Sequence, residues 1–162
     1  MREEEPVRWL DDDERRAWIN LAKVLLTLPG ALESQLLRDA DLTLLGYMIL
    51  ARLSAVPGES LRMSEIAEMA NGSLPRISHA VARLEDRGWV VREVCTGRGR
   101  RFTTATLTAA GRAHLAASAP GHVATVRRLV TDPLGDDFVR LGDAVARVVE
   151  TLGLPTEILA PE

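Results

Sequence analysis

The order of segments in the middle third of the chain, residues 63–108, constrains the fold more than any other feature of the sequence. Two short amphipathic segments are separated by Asn71-Gly72, a pair that favours a turn. Two β-rich runs then flank an arginine-rich loop. Helix, turn, helix and basic hairpin is the layout of a winged helix-turn-helix, which inserts one helix into the major groove of DNA. The sequence therefore predicts a mainly α fold with a small antiparallel β wing, and double-stranded DNA as the first partner to consider.

The second amphipathic segment, residues 74–87, has the pattern of a recognition helix. Ser64 and Ser73 are expected to cap the first and the second of the two helices, and Gly88 has the position of a glycine that ends a helix. At 100° per residue, the apolar residues of the second segment share one face. These residues are Ile77, Ala80, Val81 and Leu84. The opposite side of this helix is therefore predicted to face a partner.

The outward side of this helix carries the residues that we expect to contact DNA. Arg76 can reach guanine O6 and N7 or a phosphate, and His79 can donate to a base acceptor or a phosphate. Ser73 and Ser78 can bind phosphate through their hydroxyls, together with the amides of the helix N-terminus. Arg83 is a further phosphate contact, although helix-surface arginines also pair with acids one turn away. For His79, an idle surface histidine is the alternative.

The two β-rich runs, residues 89–94 and 102–107, predict a hairpin whose tip lies at residues 95–101. Glycines at this tip allow tight turning, and three arginines project from it: Arg98, Arg100 and Arg101. Guanidinium groups are attracted by the narrow minor groove of A·T-rich DNA. A solvated basic loop is the alternative. The position directly after a helix-turn-helix favours a contact with the minor groove.

Charge is distributed unevenly along the chain. The formal net charge of −3 argues against a protein that coats nucleic acid without regard to sequence. Seven arginines and three acids lie within residues 71–101, whereas seven acids and two arginines lie within residues 1–14. The segment that is predicted to bind DNA therefore has a local excess of basic charge, although the chain as a whole is acidic.

Helices are predicted on both sides of this module. Four acids at residues 11–14 mark a helix start, and an apolar stripe follows in which the Pro-Gly pair at residues 29–30 predicts a kink or a break. A nearly all-apolar helix at residues 43–53 is expected at the centre of the fold. After the wing, a long helix is expected to be interrupted by the Pro-Gly pair at residues 120–121. The Asp-Pro pair at residues 132–133 then turns the chain.

The last helix has apolar residues at alternating steps of three and four, as in a coiled coil. They are Phe138, Leu141, Val145, Val148 and Leu152. This stripe and the N-terminal one need another surface, which a symmetric dimer commonly supplies, with two recognition helices about 34 Å apart. The 162 residues predict one domain, in which residues of about 1–40 and 109–162 form dimerisation helices and residues of about 41–108 form the DNA-binding lobe.

Several classes of protein are disfavoured by what the sequence lacks. With Cys95 as its single cysteine, the chain has no disulfide framework and no cysteine cluster for zinc, and His79, His114 and His122 lack the spacing of a zinc site. There is no Gly-x-Ser-x-Gly sequence and no phosphate loop, so neither an enzyme nor a cofactor is predicted. Without a signal peptide or an apolar run of membrane-spanning length, we expect a cytoplasmic protein with no membrane contact.

The sequence resembles the MarR family of bacterial transcription regulators over nearly its whole length. The pieces that carry the resemblance are LRMSEIA at residues 61–67, residues 73–78 with Val81, RLEDRGWV at residues 83–90 and LTAAG at residues 107–111. The resemblance implies a homodimer that binds a palindromic operator and usually represses. It also implies release of DNA when a small, often aromatic or phenolic, ligand enters the crevice between the dimerisation helices and the DNA-binding lobe.

The predicted wing departs from the family pattern. The family's wing commonly has an aspartate shortly before the tip arginine, which it holds by a charge-assisted pair. Here Arg98 or Gly99 takes the matching place, and no acid lies between Glu93 and Asp132. The tip arginines are therefore expected to be less pre-organised, and the sequence leaves open which of them enters the groove.

The ligand and two alternative functions stay open at this level. Trp18 on the first helix and Tyr47 on the second could flank the implied ligand crevice, or both could belong to the core. One alternative function is a winged-helix module that binds a protein and no operator. The other is a thiol-based redox sensor that acts through Cys95, for which a structural cysteine at a strand end is the simpler interpretation.

Overall fold

Helices make up most of the chain that the structure describes, as the sequence predicts. The computed structural model describes residues 7–70, 72–97 and 99–154, with only the backbone described at residues 97 and 100. Its elements, in chain order, are α1 (Asp12–Ala40), α2 (Leu44–Ser54), β1 (Ser60–Arg62), α3 (Met63–Met69), α4 (Leu74–Asp86), β2 (Val90–Gly97), β3 (Arg100–Leu107), α5 (Ala109–Val126), α6 (Asp132–Leu134) and α7 (Asp137–Thr151). A 3₁₀ turn at Pro57–Glu59 precedes β1, and a π-helical turn at Arg127–Thr131 joins α5 to α6.

The core of the lobe is built around α2. Ile49, Leu50 and Leu53 of this helix are fully buried, in agreement with its nearly all-apolar sequence. Thr43 caps the helix, because its Oγ1 accepts a hydrogen bond from the Gly46 amide at 3.0 Å. Leu42, between α1 and α2, and the inner faces of α1, α3, α4 and the sheet complete the core. The residues of these inner faces are Leu36, Ile66, Ile77, Val81, Leu84, Val90, Ala105 and Leu107.

The sheet has three antiparallel strands in the order β1-β3-β2, one more than the sequence predicts. The additional strand, β1, pairs with β3 and places Arg62 opposite Thr104. Three residues are too few to show the alternation by which strands are recognised in a sequence. Since α3 begins at the next residue, β1 connects the first helix of the helix-turn-helix directly to the wing.

Hydrogen bonds between neighbouring residues determine where α1 and α3 begin. At the start of α1, the Asp11 carboxylate accepts from the Glu14 amide at 2.8 Å, and the Glu14 carboxylate accepts from the Asp11 amide at 3.0 Å. The predicted helix start at residues 11–14 is confirmed. The predicted Ser64 cap of α3 is wrong, because the helix already begins at Met63. There the Glu65 carboxylate accepts from the Arg62 amide at 2.6 Å.

Prolines do not end the long helices at the predicted places. α1 continues through Pro29 and α5 through Pro120. Of the kink or break predicted at residues 29–30, the break is therefore wrong and the kink stays a prediction, and the interruption predicted at residues 120–121 is wrong. A proline removes one hydrogen bond of the helix, but the flanking turns and the packing of α1 on α5 support the helix across the gap. Residues 132–133 do not turn the chain either. They lie in α6, and the turn falls at Gly135, whose φ is +52°.

The junction between the wing and α5 requires a glycine. A Cβ on Gly111 would clash with the Trp89 carbonyl and lie 2.9 Å from Leu107 Cδ1. The Thr108 hydroxyl donates to the Gly88 carbonyl at 2.7 Å and accepts from the Gly111 amide at 3.0 Å. Gly88, with a φ of +72°, ends α4 as predicted. This junction fixes the end of α4, the base of the wing and the start of α5 against one another.

Apolar side chains on the N-terminal half of α1 and along α7 face solvent. On α1, Trp18, Leu21 and Leu25 are exposed, whereas Leu36 near the other end of the helix is fully buried. On α7, the coiled-coil-like stripe is 39–65% exposed at Phe138, Leu141, Val145, Val148 and Leu152. Within the described ranges, no helix is long and apolar enough to cross a membrane. The two stripes are apolar surfaces of the kind that mark interaction sites.

Candidate nucleic-acid interface

α4 combines a buried apolar face with an exposed basic one. Its inner face is buried at Ile77, Val81 and Leu84, as predicted. Arg76, His79 and Arg83 are exposed on its other side. Among the described residues, the ion pairs of this helix and its C-terminal cap are made by Glu85 and Arg87, which leaves Arg76 and Arg83 without a carboxylate partner. The two guanidinium groups are therefore available to an anion such as phosphate.

The predicted serine contacts lie at the start of α4 and along its exposed surface. Ser73 has the N-cap position, but its exposed hydroxyl makes no hydrogen bond to the amides of the described helix. The Leu74 and Arg76 amides of the first turn, which flank Pro75 with its missing N–H, and this hydroxyl are thus free to bind an acceptor at the positive end of the helix dipole. Ser78 is also exposed, on the side of the helix that faces the wing.

A crevice of about 540 Å³ lies on one side of α4, between this helix and the junction of α1 with α2. We call it the α4 crevice. Its apolar wall includes Leu44, Leu45 and Met48. Three predicted DNA contacts also line it: Arg76, His79 and Arg83. Two carboxylates, Glu33 and Asp41, line it as well, and Asp41 is paired with Arg87. The α4 crevice is therefore apolar on one wall, with Arg76 and Arg83 free of ion pairs among the described residues, a combination that suits an amphipathic anion.

A second opening, of about 460 Å³, lies on the other side of α4, between this helix, the start of α3 and the wing. We call it the wing groove. It is lined by Arg62 and Ser64 from the start of α3, by Ser78 of α4, and by Arg101 and Phe102 of β3. The recognition helix thus has the α4 crevice on one flank and the wing groove on the other.

An ion pair connects α4 to the wing. Glu85 of α4 accepts from the Arg92 amide at 3.0 Å, from Arg92 Nε at 2.8 Å and from Arg92 Nη2 at 2.5 Å. These hydrogen bonds to the Arg92 side chain and backbone hold the pKa of Glu85 below its usual value. Because one carboxylate bonds both backbone and side chain of β2, it fixes the angle between recognition helix and wing.

The wing has longer strands than the sequence predicts. β2 ends at Gly97 and β3 begins at Arg100, with Gly97 paired to Arg100, so most of the predicted tip at residues 95–101 lies in paired strand. Gly99 has a φ of +74°, a conformation that favours glycine and lets the strands turn tightly. Arg101 is exposed on β3. The predicted contacts Arg98 and the side chain of Arg100 lie outside the described residues.

A second ion pair connects the end of α4 to the end of α1. Arg87 pairs with Asp41, which ends α1 in the left-handed conformation with a φ of +51°. The Arg87 Cζ also lies 5.7 Å from the centre of the Trp89 ring. The nearby His114 ring stacks on Trp89 at 3.8 Å, and its Nε2 lies 2.9 Å from the Ala40 carbonyl oxygen. These contacts join the DNA-binding lobe to the long helices.

The two predicted ligand residues do not line the α4 crevice. Trp18 is half-exposed on the outer side of α1. Tyr47 is half-buried on α2, with its ring centre 4.3 Å from that of His122 on α5. Burial raises the pKa of Tyr47 and lowers that of His122, whose Nδ1 is buried without a hydrogen-bond partner in the described chain. Their part in ligand binding stays a prediction.

The remaining polar candidates are scattered. Cys95 is half-buried on β2, and its Sγ lies 3.8 Å from the Thr104 hydroxyl. No group of three or more histidine, cysteine, aspartate or glutamate side chains in the described ranges is placed to hold a metal ion.

Two features of the interface were missed in the sequence: the pair of Glu85 with Arg92, and the position of Arg62. The Arg62 Cζ lies 4.3 Å from the centre of the Phe102 ring, 40 positions away in the chain. For the pair of Glu85 with Arg92, the sequence offers an acid before Gly88 and an arginine after it, which does not specify a contact.

Comparisons with known proteins agree with this geometry. The model of the MarR family matches residues 40–101, which span the helix-turn-helix and most of the wing. The chain has no match among curated protein sequences.

Solved structures extend the similarity to nearly the full length. Sco3205, a MarR family transcriptional regulator from Streptomyces coelicolor in complex with DNA, is 38% identical, with 96% of each chain covered and a TM-score of 0.83. AbsC, a MarR family transcriptional regulator from the same organism, is 37% identical over 90% of this chain and 98% of its own, with a TM-score of 0.81. CouR from Rhodococcus jostii RHA1 shares the fold, with 20% identity over 93% of this chain and 98% of its own and a TM-score of 0.69. The chain belongs to the MarR family of transcriptional regulators.

Proposed function

We propose that this regulator is a homodimeric repressor that binds a palindromic operator through α4 and the wing, and that a small ligand releases it from DNA. The observation that carries the proposal is the exposed face of α4, on which Arg76, His79 and Arg83 lie together. A helix of 13 residues with such a face fits the major groove, where arginine reads guanine and binds phosphate.

The dimer is supported by the exposed apolar stripes on α1 and α7. A stripe with heptad-like steps on α7 is suited to packing against a second helix. A symmetric dimer covers the same surface on both copies at once. It also presents two recognition helices, which is why a palindromic site is expected.

DNA binding is further supported by the relative Sco3205, whose structure is of a complex with DNA. In this chain, the exposed Ser73 hydroxyl and the first-turn amides of α4 are suited to one phosphate. Arg101 on β3 is the described wing arginine that would face the adjacent minor groove. The ion pair of Glu85 with Arg92 would hold α4 and the wing at a fixed angle, on either side of the DNA backbone.

Ligand release is supported by the overlap between the α4 crevice and the DNA-binding residues. An anion with an apolar or aromatic body would place its body against Leu44, Leu45 and Met48, and its charge near Arg76 and Arg83. These arginines would then be neutralised and turned towards the crevice. The bound ligand would favour a state with lower DNA affinity, as required of an effector that shifts a two-state equilibrium.

A ligand of this kind is compatible with the fold. CouR, which shares only the fold, is bound to p-coumaroyl-CoA in its structure. The two alternatives, a protein-binding winged helix and a Cys95 redox sensor, have no observation in the described residues that favours them over an operator reader.

The test is a titration of labelled duplexes at several salt concentrations. The duplexes come from fragments of the source genome that the protein retains, beside shuffled sequences of the same length and composition. We expect affinity to fall steeply with salt, and the selected palindrome to bind about a thousandfold more tightly than the shuffled control. Absence of duplex binding at low salt contradicts the proposal.

A further inference from the structure

Arg62 lies where three elements of the lobe meet. It is the last residue of β1, it precedes α3, and it pairs with Thr104 of β3. Its amide is held by the Glu65 carboxylate at 2.6 Å, so its backbone is fixed on both sides. Its side chain is exposed, yet its guanidinium lies over the Phe102 ring at 4.3 Å from the ring centre. This cation–π contact holds an exposed charge in one place at the base of the wing.

The wing groove around Arg62 is cationic. Three arginines line it, and Arg92 is neutralised by Glu85, which leaves the charges of Arg62 and Arg101. No carboxylate is among the described residues that line the groove. Hydroxyl donors are provided by Ser64, Ser78 and Thr103. Guanidinium groups surrounded by hydroxyls are the chemistry by which proteins bind the phosphates of the DNA backbone.

We propose that Arg62 binds a phosphate of the DNA backbone segment that passes between α4 and the wing. The inference rests on the proposed function, because helix and wing enter adjacent grooves and the backbone between those grooves must cross the opening that separates them. The Phe102 ring restricts the Arg62 side chain before DNA arrives, so less side-chain entropy is lost on binding. Arg62 thus supplies a pre-organised arginine to a wing whose sequence has no acid after Glu93.

The test compares Arg62→Ala, Arg62→Lys and Phe102→Leu in duplex titrations over a range of salt concentrations. One phosphate contact contributes about 0.9 to the slope of log affinity against log salt concentration. Arg62→Ala is therefore expected to lower the slope by about 1 for each bound subunit, and affinity by roughly tenfold for each lost charged contact. Arg62→Lys keeps the slope. Phe102→Leu also keeps the slope but weakens binding, because the charge remains while its restriction is lost.

The double variant Arg62→Ala/Phe102→Leu separates this role from simple packing. If the ring acts through the guanidinium, Phe102→Leu has no further effect on DNA affinity once Arg62 is gone. Arg128→Ala, which removes an exposed arginine from the π-helical turn, controls for the loss of one charge. Melting temperatures of all variants control for folding.

Two results would overturn the assignment without touching the proposed function. One is an Arg62→Ala variant that binds the selected duplex with the parent's affinity and salt slope, which would limit Arg62 to packing on Phe102. The other is saturable binding of inorganic phosphate alone that depends on Arg62 at constant ionic strength, which would assign the groove to a free anion. Failure of the parent protein to bind any duplex would instead contradict the proposed function itself.

Discussion

The DNA-binding lobe and the flanking helices differ in how far their apolar side chains are exposed to solvent. In the lobe, Ile49, Leu53 and Ile77 are completely buried within one chain. On α1 and α7, comparable residues such as Leu25 and Val145 are exposed. The core of the lobe is therefore complete within one chain, whereas the apolar stripes on the long helices are left uncovered, and the proposed dimer would cover them. Stability and assembly are expected to respond to different substitutions for this reason.

The largest effect on the stability of the fold is expected from a substitution in the core of the lobe. Replacing Ile77 by alanine leaves a cavity beside the fully buried Val81, which should lower the free energy of unfolding by about 2–5 kcal/mol. Leu74→Ala, on the exposed side of the same helix, is the matched control and should cost less than about 0.5 kcal/mol. Urea unfolding followed by circular dichroism measures both. Equal losses for the two variants would refute the core assignment.

A substitution in the exposed apolar stripe of α7 is expected to weaken the proposed dimer and to leave the fold of the lobe unchanged. Val145→Asp places a charge in the proposed dimer seam and should raise the dimer dissociation constant by about a hundredfold or more, since an unpaired charge is poorly tolerated in an apolar interface. The lobe should stay folded. Val139→Asp adds the same charge outside the stripe and should leave the dimer intact. Analytical ultracentrifugation distinguishes the two, and a dimer unaffected by Val145→Asp would contradict the role of α7.

A smaller effect, confined to DNA binding, is expected on α4. Arg76→Ala should weaken binding to the selected duplex by roughly tenfold, because a guanine or phosphate contact is lost. Its melting temperature should match that of the parent, since Arg76 is exposed and makes no ion pair with a described residue. Arg128→Ala serves again as the charge control. Parental affinity in Arg76→Ala would show that α4 is not the reading helix.

The smallest effect is a dependence of stability on pH at the contact between lobe and long helices. Burial lowers the pKa of His122 in the folded protein below its ordinary value of 6.5, so the unfolded chain takes up the proton first. The contribution of neutral His122 is complete above about pH 6.5 and declines as the pH falls towards the lowered folded pKa.

Replacing His122 by glutamine tests whether this histidine causes the pH dependence of stability. The variant keeps a polar side chain beside Tyr47 but cannot be protonated, so its free energy of unfolding should depend less on pH between 7.5 and 5.5. Chemical unfolding at several pH values gives both curves. Identical pH dependence in parent and variant would exclude His122 as the source.

Local signals account for what could be predicted about the lobe. Residues 74–87 carry an inward apolar face, which packs on the core, and Gly88 ends α4 in the left-handed conformation. Ser73 marks the N-cap position in the sequence, although its side chain makes no capping hydrogen bond. The exposed positions of Arg76, His79 and Arg83 follow from the same 100° geometry. The central position of α2 follows from its nearly all-apolar sequence.

Contacts between distant segments could not be predicted in this way. Arg62 meets Phe102 only because β1 joins the sheet, and a three-residue strand has no pattern of its own. The helices do not end at residues 29–30 or 120–121, because proline removes one hydrogen bond while the packing of α1 on α5 supports the rest of each helix. Tertiary contacts outweighed a local preference in both cases.

The stoichiometry of the complex with DNA tests the central claim most directly. Native mass spectrometry of the protein with the selected palindromic duplex should give a complex of two chains and one duplex, and with a single half-site a much weaker complex. One chain bound per full palindrome with undiminished affinity would contradict the account of a regulator whose lobes read DNA as a pair.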